Sequence, residues 1–372
     1  MYSCCIQMYI KKIFRRKKSM LKFKEYVYEE DIIVNNNYVL AGDIGGTNAN
    51  FGLCACIKNK IVLYASFHYK SKEVDQFITI VNTVLAHIKN TYGILLQRAC
   101  FAAAGVISEK RKWVKPTNLS FCIDADELVK NTALTRIVLI NDFEAVSWGV
   151  PYIDLKNLIL VKEGKIRTKA TKAIVGAGTG LGKSIMAWSE QYQQYTIIPS
   201  EGGHADFSVQ DKNELDLVKF IQKDLNNACR ISWEHVISGD GITRLYKFLE
   251  TQKKYQKSDI QKTIMHNGYH PDKIFSYWQQ DQHCKDTFVW YAALYGACAK
   301  NFALDALALA GVYIAGGIAS KNISLFNQPG FLQSFINCGK QEALLQNIPI
   351  WVIADYNVSL YGAAAYIFFV QN

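Results

Sequence analysis

A carboxylate stands directly after a predicted buried strand, in the string Ile140-Asn141-Asp142-Phe143. Branched apolar residues from 136 to 140 indicate that strand. Open α/β proteins place their sites just beyond the carboxyl ends of such strands. A carboxylate in that position can take the proton from an attacking hydroxyl group, which makes Asp142 a candidate general base. The alternative is that Asp142 only caps a helix that begins at Phe143.

Two glycine-rich hairpins have the composition of loops that bind phosphate. The first spans residues 43–48 (DIGGTN), and the second has four glycines among the seven residues 176–182. Glycines let the backbone approach an anion closely, and turn amides can point at phosphate oxygens. Either hairpin alone could be a plain turn, and the second matches neither a Walker A loop nor a Rossmann turn. Together they favour the polyphosphate of ATP as a ligand between them.

Single residues near these hairpins indicate what else such a site would hold. Asp43, at the tip of its predicted strand, could hold water around a Mg²⁺ ion, and the Thr47 hydroxyl adds a donor. Gly316 and Gly317 follow another predicted strand, where an adenine ring and ribose could lie against the backbone. On their own, these two glycines are explained more simply by a tight turn before a helix.

Two further strings carry side chains that are suited to a polyol. They are Glu201-Gly202-Gly203-His204 and the Glu234 that follows Trp233. Carboxylates and a neutral histidine can hydrogen-bond several hydroxyl groups at once. Two acids and a histidine could also bind a metal, but no third close ligand accompanies them. We therefore predict sugar binding and no metal site built from these residues.

Apolar periodicity predicts the elements that must position these residues. A strand–hairpin–strand unit at 41–53 recurs at 173–187, which predicts an α/β fold with two similar halves facing a cleft. The apolar stretch 288–309 has the length of a membrane span, but Lys300 and Asp305 interrupt it, so we predict a buried core helix. Other predicted strands lie at 38–43, 61–69, 99–106, 136–140, 312–315 and 348–354, and other helices at 74–89 and from about 359.

The composition is that of an ordinary globular protein with an unusual N-terminal end. Half of the 372 residues are hydrophobic and 20% are charged, and the length suggests about two domains. Eight of the 42 Lys and Arg residues lie within residues 1–24, which contain no acid. The rest of the chain has 34 basic and 32 acidic residues, a net charge of +2, so we infer no nucleic-acid partner.

The basic N-terminal segment has several possible interpretations. Its apolar stretch is too short and interrupted for a secretory signal or a membrane span. It could be a weak anchor to an acidic membrane surface, or an organelle transit peptide. We favour a disordered tail, or residues that precede a true start at Met20, and expect no membrane contact.

Ten cysteines are scattered along the chain without a CxxC pair or the spacing of zinc ligands. Several lie inside apolar runs, where cysteine behaves as a small hydrophobic residue. This pattern favours free thiols and a location in a reducing cytoplasm.

In this order, the motifs resemble the bacterial glucokinase family of the actin/hexokinase/Hsp70 superfamily. The matching strings are DIGGTN, PTNLSF, INDFEAV, GAGTGLG, EGGHADF, SWEHVISGDG and IAGGI, and the resemblance covers about residues 38–370. It implies a two-domain actin-like (ribonuclease H-like) α/β fold with the active site in the cleft between domains, and a homodimer. We expect a disordered basic extension at 1–37, a small domain from 38–150 with 353–372, and a large domain at 151–352.

The resemblance also implies a role for each matching residue. It implies that Asp142 is the catalytic base of a glucokinase that transfers phosphate from ATP, with Mg²⁺, to O6 of glucose. The implied ligands of the sugar hydroxyls are Asn118, Asn141, Glu201, His204 and Glu234. The implied nucleotide ligands are Asp43, Gly45, Gly46, Thr47, Asn48, Gly178, Thr179, Gly180, Gly316 and Gly317.

The chain departs from the family pattern in several places. Asn50 stands where arginine is common, and Ser200 stands where glycine is usual. The cysteine-rich zinc motif of the related repressor/kinase group is absent, which places the chain in the non-zinc branch. Two alternatives remain open: a kinase for another hexose, such as mannose or glucosamine, and a sugar-sensing protein without catalysis. The short N-terminal segment leaves too little chain for the helix-turn-helix domain of such sensors.

Overall fold

The computed structural model describes residues 23–29, 37–73, 75–117, 119–227, 230–252, 255 and 258–370. The strands are β1 (Lys24–Val27), β2 (Tyr38–Ile44), β3 (Asn48–Ile57), β4 (Lys60–Lys70), β5 (Arg98–Ala103), β6 (Trp113–Val114), β7 (Ile123–Asp124), β8 (Arg136–Asn141), β9 (Leu158–Lys162), β10 (Lys172–Ala177), β11 (Leu181–Ser189), β12 (Gln194–Ser200), β13 (Val312–Ala315) and β14 (Ile350–Ile353). The α-helices are α1 (Phe77–Tyr92), α2 (Ala125–Asn131), α3 (Asp142–Gly149), α4 (Lys212–Asp224), α5 (Trp233–Val236), α6 (Gly239–Thr251), α7 (Asp259–His266), α8 (Pro271–Ser276), α9 (Gln282–Asp305), α10 (Gly317–Lys321), α11 (Pro329–Ile336), α12 (Glu342–Asn347) and α13 (Val358–Phe369).

Twelve of the strands form two six-stranded sheets with the same central order, and β6 and β7 form a separate antiparallel pair. In the first sheet, β4-β3-β2 is an antiparallel meander, and β5 and β8 continue from β2 in parallel. In the second sheet, β12-β11-β10 is the meander, and β13 and β14 continue from β10 in parallel. The two glycine hairpins therefore occupy equivalent positions, because each joins the first two strands of its meander.

Helices cover both faces of the first sheet. On one face, Val81 and Val84 of α1 and Leu128 of α2 pack with the aromatic residues Phe51 and Phe101. On the other face, α3 and α13 pack against residues of β2, β5 and β8. Although α13 follows β14 of the second sheet in the chain, it is buried on the first sheet. The boundaries of the small domain (38–150 with 353–372) and the large domain (151–352) stay a prediction from the sequence.

The long apolar helix α9 lies in the core on the second sheet. Phe288, Tyr291 and Tyr295 are fully buried there among residues of β10, β13 and β14. The helix begins earlier than predicted because the Asp281 side chain caps it by accepting from Cys284 N. It ends earlier as well, since Leu307 adopts a left-handed φ of 44°. Within the described part of the chain, no helix has the length and apolar character that crossing a membrane requires.

The sequence predicted a disordered extension at residues 1–37, and this prediction is wrong for residues 23–29, which the structure describes. Lys24–Val27 form the edge strand β1, antiparallel to β4. Phe23 packs against the rings of Phe67 and Tyr69, and Glu25 pairs with His87. These long-range contacts outweigh the basic composition that predicted a tail. Residues 1–22 and 30–36 of the segment lie outside the described residues.

Candidate active site

Asp142 is the first residue of α3, and its neighbour Asn141 is the residue that caps this helix. The Asn141 Oδ1 accepts from the backbone N–H groups of Phe143 (2.9 Å) and Glu144 (3.2 Å). The Glu144 carboxylate in turn accepts from Asn141 N at 3.4 Å, which completes a capping box. The alternative in which Asp142 caps a helix starting at Phe143 is therefore wrong. The carboxylate of Asp142 accepts a hydrogen bond from the adjacent Phe143 N–H at 2.9 Å.

Phe143 fixes the start of α3 against the second hairpin. Gly176 and Gly182 are opposite each other in the β10–β11 pair, and a Cβ at either position would overlap the Phe143 ring. Ser184 Oγ adds a hydrogen bond to the Phe143 carbonyl at 2.9 Å. Two of the four glycines therefore make room for an aromatic ring beside Asp142. Sequence reasoning had connected all four with phosphate binding.

The two glycine hairpins meet at their tips. Thr47 Oγ1 of the first lies 2.9 Å from Thr179 Oγ1 of the second. The first turn is closed by the hydrogen bond from Gly45 N to Asn48 O, and the second by the bond from Gly178 N to Gly180 O. A Cβ at Gly178 would meet nothing within 4 Å, so this residue borders open space. The hairpins that the sequence predicted to face each other are in direct contact.

Asp43 and Glu201 lie close enough to Asp142 to influence it electrostatically. Burial and then the charge of Asp43 raise the pKa of Asp142 to about 7, with a further contribution from Glu201. Burial also raises the pKa of Asp43 to about 6, although hydrogen bonds from Ser359 and Asn50 oppose this rise. A proton or a cation near these carboxylates is therefore stabilising.

Three predicted sugar ligands converge beside the second hairpin. His204 Nδ1 is 3.8 Å from Glu234 Oε1, and His204 Nε2 is 4.0 Å from Glu201 Oε2. Glu234 Oε2 accepts the Leu181 N–H at 2.9 Å, and Gly180 leaves space for this carboxylate. The side chains of Glu201 and His204 are about half exposed, at 51% and 53%. They therefore present acceptors and donors to an incoming polar ligand.

The other predicted site residues fall into three groups. Asn141 Nδ2 has a long bond of 3.4 Å to Gly105 O, while its Oδ1 is used by the cap. Gly316 has a φ of 91° and lies against the Ala177 carbonyl, so this position requires glycine, and Gly317 starts α10 in open space. Asn118 lies outside the described residues.

Asn50, at the position where arginine is common, is buried beside Asp43. Its Nδ2 is 3.5 Å from the Tyr356 hydroxyl, and its Oδ1 is buried with no hydrogen-bond partner among the residues that the structure describes. Asn48 Nδ2 is also 3.5 Å from this hydroxyl. Uncharged side chains thus lie beside Asp43 at the position where the resemblance implies an arginine.

The described residues fit Mg²⁺ as kinases hold it, with few protein ligands. No group of three or more His, Cys, Asp or Glu side chains in the described part of the chain could enclose a metal ion. Mg²⁺ is commonly bound through one or two carboxylates together with substrate phosphates. The charge of Asp43 raises the pKa of Asp142, so a cation beside this pair would be stabilising. The buried Asn50 Oδ1 beside Asp43 has no donor among the described residues.

Sequence reasoning missed several residues that position Asp142. Phe143 and Ser184 anchor α3 to β11, and Arg111 forms an ion pair with Glu144. The spacing of Asn141 and Glu144, with an acid three residues after an amide cap, is the signal of a capping box and could have been recognised. Nothing in the local sequence links Arg111 to this helix.

Comparison with known proteins agrees with the geometry. A family model described as Glucokinase matches residues 40–368. Glucokinases from Trichormus variabilis and a Nostoc strain are each 34% identical to the chain, and both alignments cover 88% of it and 97% of the relative. The chain belongs to the glucokinase family.

Solved structures of glucokinases share the fold. One from an Antarctic psychrotroph has a TM-score of 0.70 at 26% identity, over 89% of this chain and 98% of that chain. The glucose complex of the Balamuthia mandrillaris glucokinase has a TM-score of 0.73 at 20% identity, over 89% and 93%. A Streptomyces griseus glucokinase of the ROK family, with glucose and AMPPNP, has a TM-score of 0.62 at 18% identity, over 88% and 98%. These similarities confirm the predicted actin-like α/β fold.

Proposed function

We propose that this glucokinase-family chain transfers the γ-phosphoryl group of ATP to O6 of glucose, with Asp142 as the general base. The observation that carries the proposal is the position of Asp142. Its pKa responds both to Asp43 of the first hairpin and to Glu201 of the polar cluster. A base in this position is near groups suited to phosphate and near groups suited to sugar hydroxyls.

The transfer itself requires one proton to move. Asp142 accepts the proton of the 6-hydroxyl as that oxygen forms its bond to the γ-phosphorus, and the bond to the leaving ADP oxygen breaks. The raised pKa of Asp142, about 7, matches a base that works near neutral pH. The backbone amides of Gly46, Thr47, Thr179 and Gly180, which do not form the bonds that close the two turns, would stabilise the charge on the transferred group. Mg²⁺, when bound near Asp43 with the nucleotide, supplies positive charge to the phosphates.

The remaining predicted residues would form the binding sites for glucose and ATP. Asn118, Asn141, Glu201, His204 and Glu234 would hydrogen-bond the glucose hydroxyls. The convergence of His204 with both glutamates supports this part of the proposal. Gly316 and Gly317 would lie along the adenosine, and the left-handed Gly316 beside β10 supports a close approach of the backbone to the ligand. The glucose and AMPPNP complexes of structural neighbours support the same pair of substrates.

A sugar panel in an ADP-release assay tests the proposal. With ATP and Mg²⁺, glucose should give the highest kcat/KM, and mannose and glucosamine should give lower values. A preference for another hexose would change the acceptor but keep the kinase reaction. Sugar binding with no ADP production from any sugar would instead favour a sensor. A homodimer, a cytoplasmic location and a role in glycolysis are further parts of the proposal.

The Asp142→Asn variant tests the base directly. Asparagine keeps the shape of aspartate but cannot take the proton, so kcat should fall about 10²-fold or more. Glucose binding, followed by intrinsic fluorescence or calorimetry, should change much less. Full turnover by this variant would show that Asp142 is not the base.

A further inference from the structure

Arg111 lies in the loop between β5 and β6 and makes a two-pronged ion pair with the buried Glu144 of α3. Arg111 Nη1 is 2.9 Å from Glu144 Oε2, and Nη2 is 3.0 Å from Oε1. The side chain of Glu144 is only 4% exposed and that of Arg111 is 33% exposed. This fork-to-carboxylate geometry fixes both position and angle, which a lysine or a single hydrogen bond does not.

The ion pair is connected to Asp142 through Asn141. The same Glu144 Oε2 that receives Arg111 also accepts from Asn141 N at 3.4 Å. Asn141 Oδ1 caps the helix whose first residue is Asp142. Arg111 is therefore two contacts away from the proposed base. It can affect Asp142 by holding the turn in which that residue lies.

Arg111 also contacts two further elements, β8 and α13. Its carbonyl oxygen accepts from Leu139 N of β8 at 2.9 Å. Its guanidinium lies over the Tyr366 ring of α13, 5.2 Å from the centroid. The residue adopts a left-handed φ of 55°, a conformation that an arginine rarely takes without support from its surroundings.

We propose that Arg111 and Glu144 are positioning residues that hold Asp142 in line with the reacting hydroxyl group. The inference rests on the proposed role of Asp142 as the base. A displacement of about 1 Å from a reactive geometry can lower a rate about 10²-fold. Loosening the ion pair should therefore lower kcat. The affinities for glucose and ATP should change less, because Glu201, His204, Glu234 and the two glycine hairpins lie on other elements, and Asn141 is the one proposed glucose ligand that contacts Glu144.

Steady-state kinetics of Glu144→Gln and Arg111→Met test this inference. We expect kcat to fall about 10- to 100-fold, with the KM values for glucose and ATP changed less than about threefold. The matched control is Lys112→Met, which removes the neighbouring exposed pair of Lys112 and Asp126 (2.6 Å) and should leave kcat unchanged. Since the pair acts as one unit, the kcat of the double variant should equal that of the less active single variant to within about threefold.

Several outcomes would overturn the inference. A purely structural pair would lower the melting temperature but leave kcat per folded molecule at the wild-type value. If the fold decrease in kcat of the double variant equals the product of the two single decreases, the residues act separately. If the Met or Gln variants fail to fold, Arg111→Lys keeps the charge but loses the fork, and a wild-type kcat in folded Arg111→Lys would contradict the inference.

The Asp142→Asn variant separates this inference from the proposed function. If Asp142→Asn keeps full turnover, the assignment of the base is wrong, and the inference fails with it. If Asp142→Asn is inactive while folded Arg111→Lys and Glu144→Gln turn over normally, only the positioning role fails.

Discussion

The raised pKa of Asp142 predicts the pH range in which the enzyme is active. Its carboxyl group must be ionised to take a proton, yet burial, Asp43 and Glu201 all favour the protonated form. We therefore expect kcat/KM for glucose, with ATP and Mg²⁺ held well below saturation so that the carboxylates carry no bound cation, to fall about tenfold per pH unit below about pH 7. Initial rates between pH 5 and 9 measure this dependence. An acidic limb centred near pH 4 would show that the carboxyl group is not perturbed in this way.

The same pKa shift predicts how the Asp142→Asn variant changes stability. The pKa in the folded protein, about 7, is above the ordinary value of 3.8, so the native state holds this proton more tightly than the unfolded chain. The stabilisation from Asp142 is fully present below about pH 4 and is lost as the pH rises towards 7. Asp142→Asn should therefore melt at a higher temperature than the wild type at pH 8, and this advantage should disappear near pH 4. Equal melting temperatures at pH 8 would contradict the shift.

At the scale of elements, α3 and the second hairpin fit together through the Phe143 ring. Gly182→Ala should lower the free energy of unfolding by about 1–3 kcal/mol, because the new methyl group overlaps the Phe143 ring and forces the ring or the strand to move. Gly178→Ala is the matched control for stability, since a Cβ there meets nothing within 4 Å. Urea unfolding of both variants gives the comparison. A similar loss of stability in both would mean that the ring contact is unimportant.

The sequence predicted most of these elements because their patterns are local. Alternating apolar residues predicted β2, β3 and β4, and the recurrence of the glycine hairpin predicted two similar halves. The edge strand β1 was missed because KEYV has no alternating pattern, and its pairing with β4 depends on residues about 40 positions away. The start of α3 was misplaced by one residue, since two consecutive residues, Asn141 and Asp142, are both good caps.

The candidate site was predictable as a set of residue types but not as a contact network. Resemblance to a family selected Glu201, His204 and Glu234, and the structure brings them within 4.0 Å of one another through His204. The contact of Arg111 with Glu144 depends on a left-handed loop residue and on a helix 33 positions away. No periodicity or spacing rule encodes such a contact.

At the scale of the whole molecule, the described N-terminal segment joins the two ends of the chain. The Tyr28 hydroxyl accepts from Asn357 Nδ2 at 3.1 Å, just before α13, and is 3.1 Å from Ser66 Oγ of β4. Glu25 pairs with His87 of α1. The segment is thus part of the folded body, although it carries the end of the basic cluster.

Two shortened chains separate the folded part of this segment from the basic cluster before it. A chain that starts at Met20 keeps every N-terminal contact described above, and its melting temperature and kcat should match those of the full chain. A chain that starts at Glu30 lacks β1, so β4 becomes an unpaired edge and the contacts of Phe23, Glu25 and Tyr28 are lost.

The shorter of these chains should lose about 1–3 kcal/mol of stability, the sum of a few partly exposed contacts. Thermal and urea unfolding of the three chains measures this loss, and Tyr28→Phe in the full chain should reproduce part of it. If the chain that starts at Glu30 is as stable as the full chain, β1 contributes nothing to the fold. If the chain that starts at Met20 is already destabilised, the basic residues before β1 have a structural role that the described contacts do not explain.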